Sequence, residues 1–230
     1  MSVDGGLARL ESGKLVTKSV AVAAGAQLDL TDEKLIVTDQ PVGTSVDGTY
    51  DGIQGLVQAG YHYTAWDGTG AIVTSQSDAR VRQLTTLAVS TAAQTGHVAG
   101  TFGGVSVDAD DVLVMYTYAG DVNLDGLVDG ADYGTLDNWI QFPGTDGYAN
   151  GDVNYDGVID GADYGTLDNS IQLQGAPFPT GTSAAPAAAA AELSGVAAVP
   201  EPSVFGFAAL ATAAALLGRR RRRHCPRRES

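Results

Sequence analysis

Cysteine is almost missing from this 230-residue chain. The only one, Cys225, lies in the basic tail, so no internal disulfide framework exists and cysteine usage fixes no redox compartment. Histidine is nearly as scarce. His62, His97 and His224 have no partner at metal-ligand spacing and read as surface residues. Basic charge is scarce too, because seven of the 13 Lys and Arg lie at Arg219 to Arg223, Arg227 and Arg228. Before Arg219, six basic residues face 26 acidic ones, a balance of −20, which repels nucleic acid and attracts hard cations. The chain has no G-x-S-x-G, phosphate loop, H-E-x-x-H or Cys–His arrangement, so no catalytic residue is assigned. Paired carboxylates for glycoside hydrolysis stay open, since acids are plentiful and their separation is unreadable here. MSVDGGLARLESGK has no apolar core of a signal peptide, so export is argued from the other end, or the gene model starts late.

What is present is 44% apolar residues punctuated by 30 glycines. Residues 1–119 read as one β-rich domain. Short apolar runs lie around Leu15, Val20 and Val22, at Leu28 and Leu30, and at Leu35 to Val37, with turns at Gly and Asp. YDGIQGLVQAG predicts a helix, WDGT a tight turn between strands at Asp67-Gly68, and QLTTLAVS and DVLVMYTYA two later strands. VDADDV around Asp108, Asp110 and Asp111 is a solvated turn or an accessory cation site. Tyr61, Trp66 and Asp67 have core and turn roles or shape a sugar site.

Residues 120–175 change style. Gly120–Gln141 and Gly151–Gln172 align without gaps and are identical at 18 of 22 positions, an internal duplication. Each copy carries the calcium-loop spacing D-x-[DN]-x-[DN]-G, in which oxygens converge on one ion. The first set is Asp121, Asn123, Asp125, the Leu127 carbonyl, Asp129 and Asp132; the second is Asp152, Asn154, Asp156, the Val158 carbonyl, Asp160 and Asp163. Gly126 and Gly157 supply the sharp turns. All-oxygen sets favour Ca²⁺ over Zn²⁺, and Mg²⁺ is the weaker alternative, so two Ca²⁺ are expected, coupled to folding. The closing Asp132 and Asp163 are one methylene shorter than the usual Glu. DVLVMYTYAG, before the first loop, is no incoming helix. Exiting helices are predicted from Tyr133, Leu136 and Ile140 and from Tyr164, Leu167 and Ile171, whose stripes should pack together, with Pro143 ending the first.

Residues 176–198 form an Ala/Pro-rich linker. In the segment 199–230, Pro200-Glu201-Pro202 precedes an uncharged run, Ser203–Gly218, and then five arginines. At about 1.5 Å per residue the run reaches roughly 24 Å against a ~30 Å hydrocarbon core, so it spans only with help from its flanks. It reads as a transmembrane helix with a stop-transfer block; a buried core helix and an arginine patch for nucleic acid are the alternatives.

The duplicated loop with a single exiting helix resembles the type I dockerin module, over Asp121–Ile140 and Asp152–Ile171 (paired F-hands). The resemblance implies a calcium-dependent plug for a cohesin domain on an extracellular, often polysaccharide-degrading, system. The family commonly has hydroxyl residues at loop positions ten and eleven, where this chain has Gly130-Ala131 and Gly161-Ala162. Its helices often carry basic contact residues, where this chain has Asp137-Asn138 and Asp168-Asn169. Residues 199–223 resemble the PEP-CTERM sorting segment, which implies recognition by a membrane exosortase and residence in the envelope or extracellular polymer of Gram-negative bacteria. QGLVQAGYHYTAWDGTGAIVTSQ, LTTLAVS and VLVMYTYAGD resemble the closing region of exported β-solenoid proteins of planctomycete type.

The expected protein is therefore multi-domain. It has a β-rich region, taken as a β-solenoid end, then a small α-helical dockerin-like module, then a C-terminal transmembrane helix. Its expected function is that of a non-enzymatic exported envelope protein, with a cohesin-like or other envelope partner, exosortase, the membrane and extracellular polysaccharide as its contacts. The alternative is the docking end of a secreted polysaccharide-active enzyme, a glycoside hydrolase or lyase. A third reading makes the loops structural clamps without a partner.

Overall fold

The computed structural model describes residues 1–97 and 100–181. Apolar runs of two to four residues, broken by Gly and Asp, cannot build long strands, and the first 40 residues form six short ones. These are β1 (Ser2–Val3), β2 (Leu7–Arg9), β3 (Lys14–Thr17), β4 (Ala21–Val22), β5 (Gln27–Asp29) and β6 (Lys34–Val37). The second three lie parallel on the first three, with Ser2 against Ala21, Leu7 against Gln27 and Lys14 against Lys34. The chain thus makes two stacked turns, which fall short of a solenoid. Asp29 is buried at their centre. It takes Arg9 Nε at 2.8 Å and the amides of Thr31 and Ser75 at 2.9 and 3.0 Å, so its charge is fully partnered.

A hairpin follows, β7 (Ser45–Val46) and β8 (Thr49–Tyr50), turning through Asp47 and Gly48 at φ 51° and 79°. Two successive positive φ values mark the turn that matches strand twist. Helix α1 (Gly52–Tyr61), the helix predicted from YDGIQGLVQAG, buries Ile53, Gln54, Val57 and Gly60. Next come β9 (Ala71–Val73), which pairs parallel with β5, and the short α2 (Ser77–Arg80). The turn expected at Asp67-Gly68 between strands instead lies in the connection from α1 to β9. The preceding residues carry the left-handed exit of α1, His62 to Thr64, and form no strand.

Strands β10 (Thr85–Thr91) and β13 (Val112–Tyr118) are the two predicted from QLTTLAVS and DVLVMYTYA, with the small hairpin β11 (Thr101–Phe102) and β12 (Val105–Ser106) between them. They complete a four-stranded sheet ordered β10-β13-β6-β3. All seven residues of β13 are buried, because neighbours flank it on both edges and the chain covers both faces. That is why its sequence is a continuous apolar run without alternation. Each large apolar side chain buried here contributes roughly 1.5–3 kcal/mol.

Two helices close the described chain, α3 (Gly130–Trp139) and α4 (Gly161–Leu173), with a 3₁₀ turn at Tyr148–Asn150 between them. Their predicted stripes are only partly buried. Leu136 and Leu167 are fully buried and Tyr133 and Tyr164 half-buried, while Ile140 and Ile171 are 38% and 41% exposed. The helices meet through Tyr133 Oη donating to Asp168 and Tyr164 Oη donating to Asp137, with the rings 6.3 Å apart.

Met1–Ala184 forms one compact unit, and its core runs without a break from β6 and β13 through Val122, Leu124, Tyr148, Val153 and Tyr155. The boundary drawn at residues 119 and 120 lies within that core. Residues 176–181, read as the start of the linker, are fastened to the unit. Ala176 O accepts from Tyr118 Oη, and the Phe178 ring packs edge-on against Tyr116 and Tyr118. The rest of the linker and the sorting segment with its helix at 203–218 lie outside the described residues. Among the described residues no helix is long and apolar enough to cross a membrane.

Candidate metal centre

The two loops share one set of internal hydrogen bonds. In the first, Asp121 accepts the amides of Asp125 (3.1 Å) and Gly126 (2.9 Å), Asn123 Oδ1 accepts Asp125 N (2.9 Å), and Asp125 Oδ1 accepts Leu127 N (3.1 Å). In the second, Asp152 accepts the amides of Asp156 (3.1 Å) and Gly157 (2.8 Å), Asn154 Oδ1 accepts Asp156 N (2.8 Å), and Asp156 Oδ1 accepts Val158 N (2.9 Å). These bonds wrap the backbone around the side chains at positions one, three and five. The wrapping needs left-handed backbone at position four, where Leu124 and Tyr155 stand at φ 58° and 60°, and at Gly126 and Gly157.

Position twelve explains its short side chain. Asp132 is the third residue of α3, and its two oxygens accept the amides of Val122 (2.9 Å) and Asp129 (2.8 Å), while Asp129 caps α3 through Ala131 N (2.7 Å). Asp163, Asp160 and Ala162 do the same for α4. This reciprocal capping box ties the closing carboxylate to the loop's start and to the helix at once. The closing Asp therefore shapes both the ligand ring and the helix entry.

Asp121, Asp132, Asp152 and Asp163 are all 0% exposed. Among the described residues the ion pairs are Arg9–Asp29, His62–Asp67 and Arg82–Asp78, and none involves these four. Desolvation is the main cause that pushes them up: Asp121 to about 8, Asp163 to about 7, and Asp132 and Asp152 to about 6. Repulsion adds to it, from Asp132 and Asp125 on Asp121 and from Asp152 on Asp163. Buried carboxylates without a basic partner are costly unless a cation joins them, and this donor set of carboxylate, amide and carbonyl oxygens fits Ca²⁺. Among the described residues no three His, Cys, Asp or Glu side chains alone make a metal-holding group. Asp125, Asp129, Asp156 and Asp160 are exposed, so each set is buried at positions one and twelve and open to solvent at five and nine.

Several supporting residues carry no sequence signal. Thr117 Oγ1 donates to Asp121 and Tyr50 Oη to Asp152. Gln174 grips the first loop with both ends of its amide, donating to Val128 O at 2.7 Å and accepting from Val128 N at 2.8 Å, and Phe178 N donates to Gly126 O at 3.0 Å. Leu124 and Tyr155, which align with each other at one of the four positions where the repeats differ, are buried plugs, and Tyr155 Oη donates to Leu87 O at 2.5 Å. Of the other singled-out residues, Trp66 is core, edge-on to Tyr61 at 5.3 Å, and exposed Asp67 pairs with His62 Nδ1 at 2.6 Å. Asp111 accepts Asp108 N at 2.9 Å and forms a turn.

No curated protein and no solved structure matches the chain. Residues 119–172 match the family model of the dockerin type I domain, and the twin loops with their exiting helices thereby carry the mark of a calcium-dependent docking module of extracellular proteins.

Proposed function

We propose that the chain is a non-enzymatic, exported cell-envelope protein whose residues 119–175 dock a cohesin-like partner when two Ca²⁺ are bound. The observation that carries this is the pair of fully buried carboxylates at positions one and twelve of each loop, unpaired with any base, in a segment that matches a docking family. Asp121, Asn123, Asp125, Leu127, Asp129 and Asp132 would hold one ion and Asp152, Asn154, Asp156, Val158, Asp160 and Asp163 the other. Bound Ca²⁺ supplies the positive charge these acids lack, and the acids themselves cap α3 and α4 and so set the surface those helices offer. That surface includes Asp137, Asn138, Asp168 and Asn169, all exposed. In this reading residues 199–230 are a sorting segment that exosortase processes after the run 203–218 enters the inner membrane, leaving the protein at the cell surface or in the extracellular matrix. A pull-down of envelope proteins with the full chain, with and without EDTA, tests docking. Capture lost in EDTA supports it, identical capture in both rejects calcium dependence, and no specific capture in either makes the loops structural clamps. A reporter carrying Val199–Ser230 that stays in the cytoplasm of an exosortase host would reject the sorting reading.

A second reading has two observations behind it. Strands β1, β2 and β3 each end a sheet order, so three parallel edges line up as in the last turns of a β-solenoid. A cleft of about 710 Å³ lies beside the second loop, lined by Tyr50, Tyr61, His62, Tyr63, Asn154 and Asp156. On this reading the chain is the docking end of a secreted polysaccharide-active enzyme. Cleavage of plant or algal polysaccharides by the purified chain would support it over the non-enzymatic one.

A further inference from the structure

The two loops are nearly identical in sequence, but their surroundings are not. Asp121 takes its hydroxyl from Thr117, four residues earlier, in β13. Asp152 takes its hydroxyl from Tyr50, 102 residues away at the end of β8. The Tyr50 oxygen also accepts Gly147 N at 2.8 Å, which aims its proton at the Asp152 carboxylate. The rest of the β7–β8 hairpin lies along the same loop. Gln58 Nε2 donates to Gly48 O and to Tyr155 O, both at 2.7 Å, and Ser45 N donates to Asp146 Oδ2 at 2.5 Å. The approach is close enough that a Cβ on Gly157 would stand 2.6 Å from Gly48 Cα and 2.6 Å from Ser45 Oγ.

We infer that Tyr50 is a positioning residue for the second calcium loop, so that this site depends on the N-terminal hairpin while the first draws its hydroxyl from the strand just before it. The inference rests on the calcium reading of the loops. Its physical basis is that a carboxylate held in one orientation by an outer hydrogen bond gives up less rotational freedom when it ligates, and loss of such a partner commonly weakens metal affinity about 10–100-fold. Two loops of one sequence thereby become two different sites.

The test uses the full chain with one loop disabled at its exposed fifth position. Asp125→Ala leaves the second loop and Asp156→Ala leaves the first. Tyr50→Phe is added to each, and Ca²⁺ binding is read by calorimetric titration. Tyr50→Phe is expected to weaken Ca²⁺ about tenfold in the Asp125→Ala chain and to leave the Asp156→Ala chain unchanged. Equal losses at both loops, or none at the second, overturn the inference while leaving calcium binding standing. A parent chain that binds no Ca²⁺ overturns the calcium reading and the inference with it. If Tyr50→Phe does not fold, Gln58→Leu cuts the same seam without touching the hydroxyl and must show the same selectivity.

Discussion

Leu136 of α3 rests on Gly151, the residue that opens the second loop; a Cβ there would lie 2.3 Å from Leu136 Cδ1. The relation is reciprocal, since a Cβ on Gly120, before the first loop, would lie 2.8 Å from Leu167 Cδ1 of α4. Each half of the duplication thus seats its leucine on the start of the other half. One copy alone would leave that leucine uncovered, which gives a physical reason for the duplication.

Gly151→Ala should therefore be severe. The residue sits at φ 122°, where a side chain is strained by about 1–3 kcal/mol, and overpacking adds about 1–3 kcal/mol. With about 2–4 °C per kcal/mol for a unit of this size, thermal unfolding should fall by roughly 10 °C. Gly134→Ala, with open space around the added carbon, should change little.

Stability should fall with rising pH without calcium and lose that dependence when calcium is bound. In EDTA the four buried aspartates bind protons more tightly folded than unfolded, because their folded values lie at about 6 to 8 against 3.8. Folded protein then holds more protons than unfolded protein between about pH 4 and pH 8, so stability falls as pH rises through that window. With saturating Ca²⁺ the ion keeps these acids ionised in the folded state as they are in the unfolded one, so the fall is abolished and the melting temperature should change little from about pH 5 to pH 8. Melting curves at pH 5 and pH 8, each with EDTA or Ca²⁺, check both expectations.

Calorimetry of the full chain should find two Ca²⁺. Asp121→Ala should remove one and Asp121→Ala with Asp152→Ala both. The isolated segment Gly120–Gly175 should bind more weakly, because it loses Tyr50 and Thr117 and uncovers Leu124, Tyr148 and Tyr155. Circular dichroism should show the segment melting less cooperatively than residues 1–181 with Ca²⁺ present.

Tyr155→Leu, which gives the second loop the residue of the first, should cost about 1–3 kcal/mol. It removes the hydroxyl that satisfies Leu87 O inside the core and the ring that stacks on Tyr148 at 5.3 Å. Urea unfolding measures the loss.

The two loops were legible because the D-x-[DN]-x-[DN]-G spacing is a fixed local pattern, and the local hydrogen bonds follow that spacing. The cores of β10, β13 and α1 were legible because burial leaves an apolar pattern. Residues 7–37 showed their apolar runs but not their parallel stacking, since side chains at matching positions 20 apart, such as Arg9 and Asp29, need not be alike. Tyr50 gave no sign of its part, because a hydroxyl serving a carboxylate 102 residues away leaves no periodicity. The stripe from Tyr133 to Ile140 reads as an interface between helices, yet Leu136 is buried against the start of the second loop at Gly151. Ile140 stays outside.

The grip of Gln174 and Phe178 on the first loop has a mechanical consequence. Tension applied to the chain beyond Gly181 enters the unit at Gly103, where Thr180 O accepts Gly103 N at 2.9 Å, and passes next to Phe178 and Gln174. Load from that side therefore meets the loop of Asp121 before that of Asp152. Calcium in the first loop would act as the fastening that resists peeling, and a tethered molecule would give way there first when chelator is added.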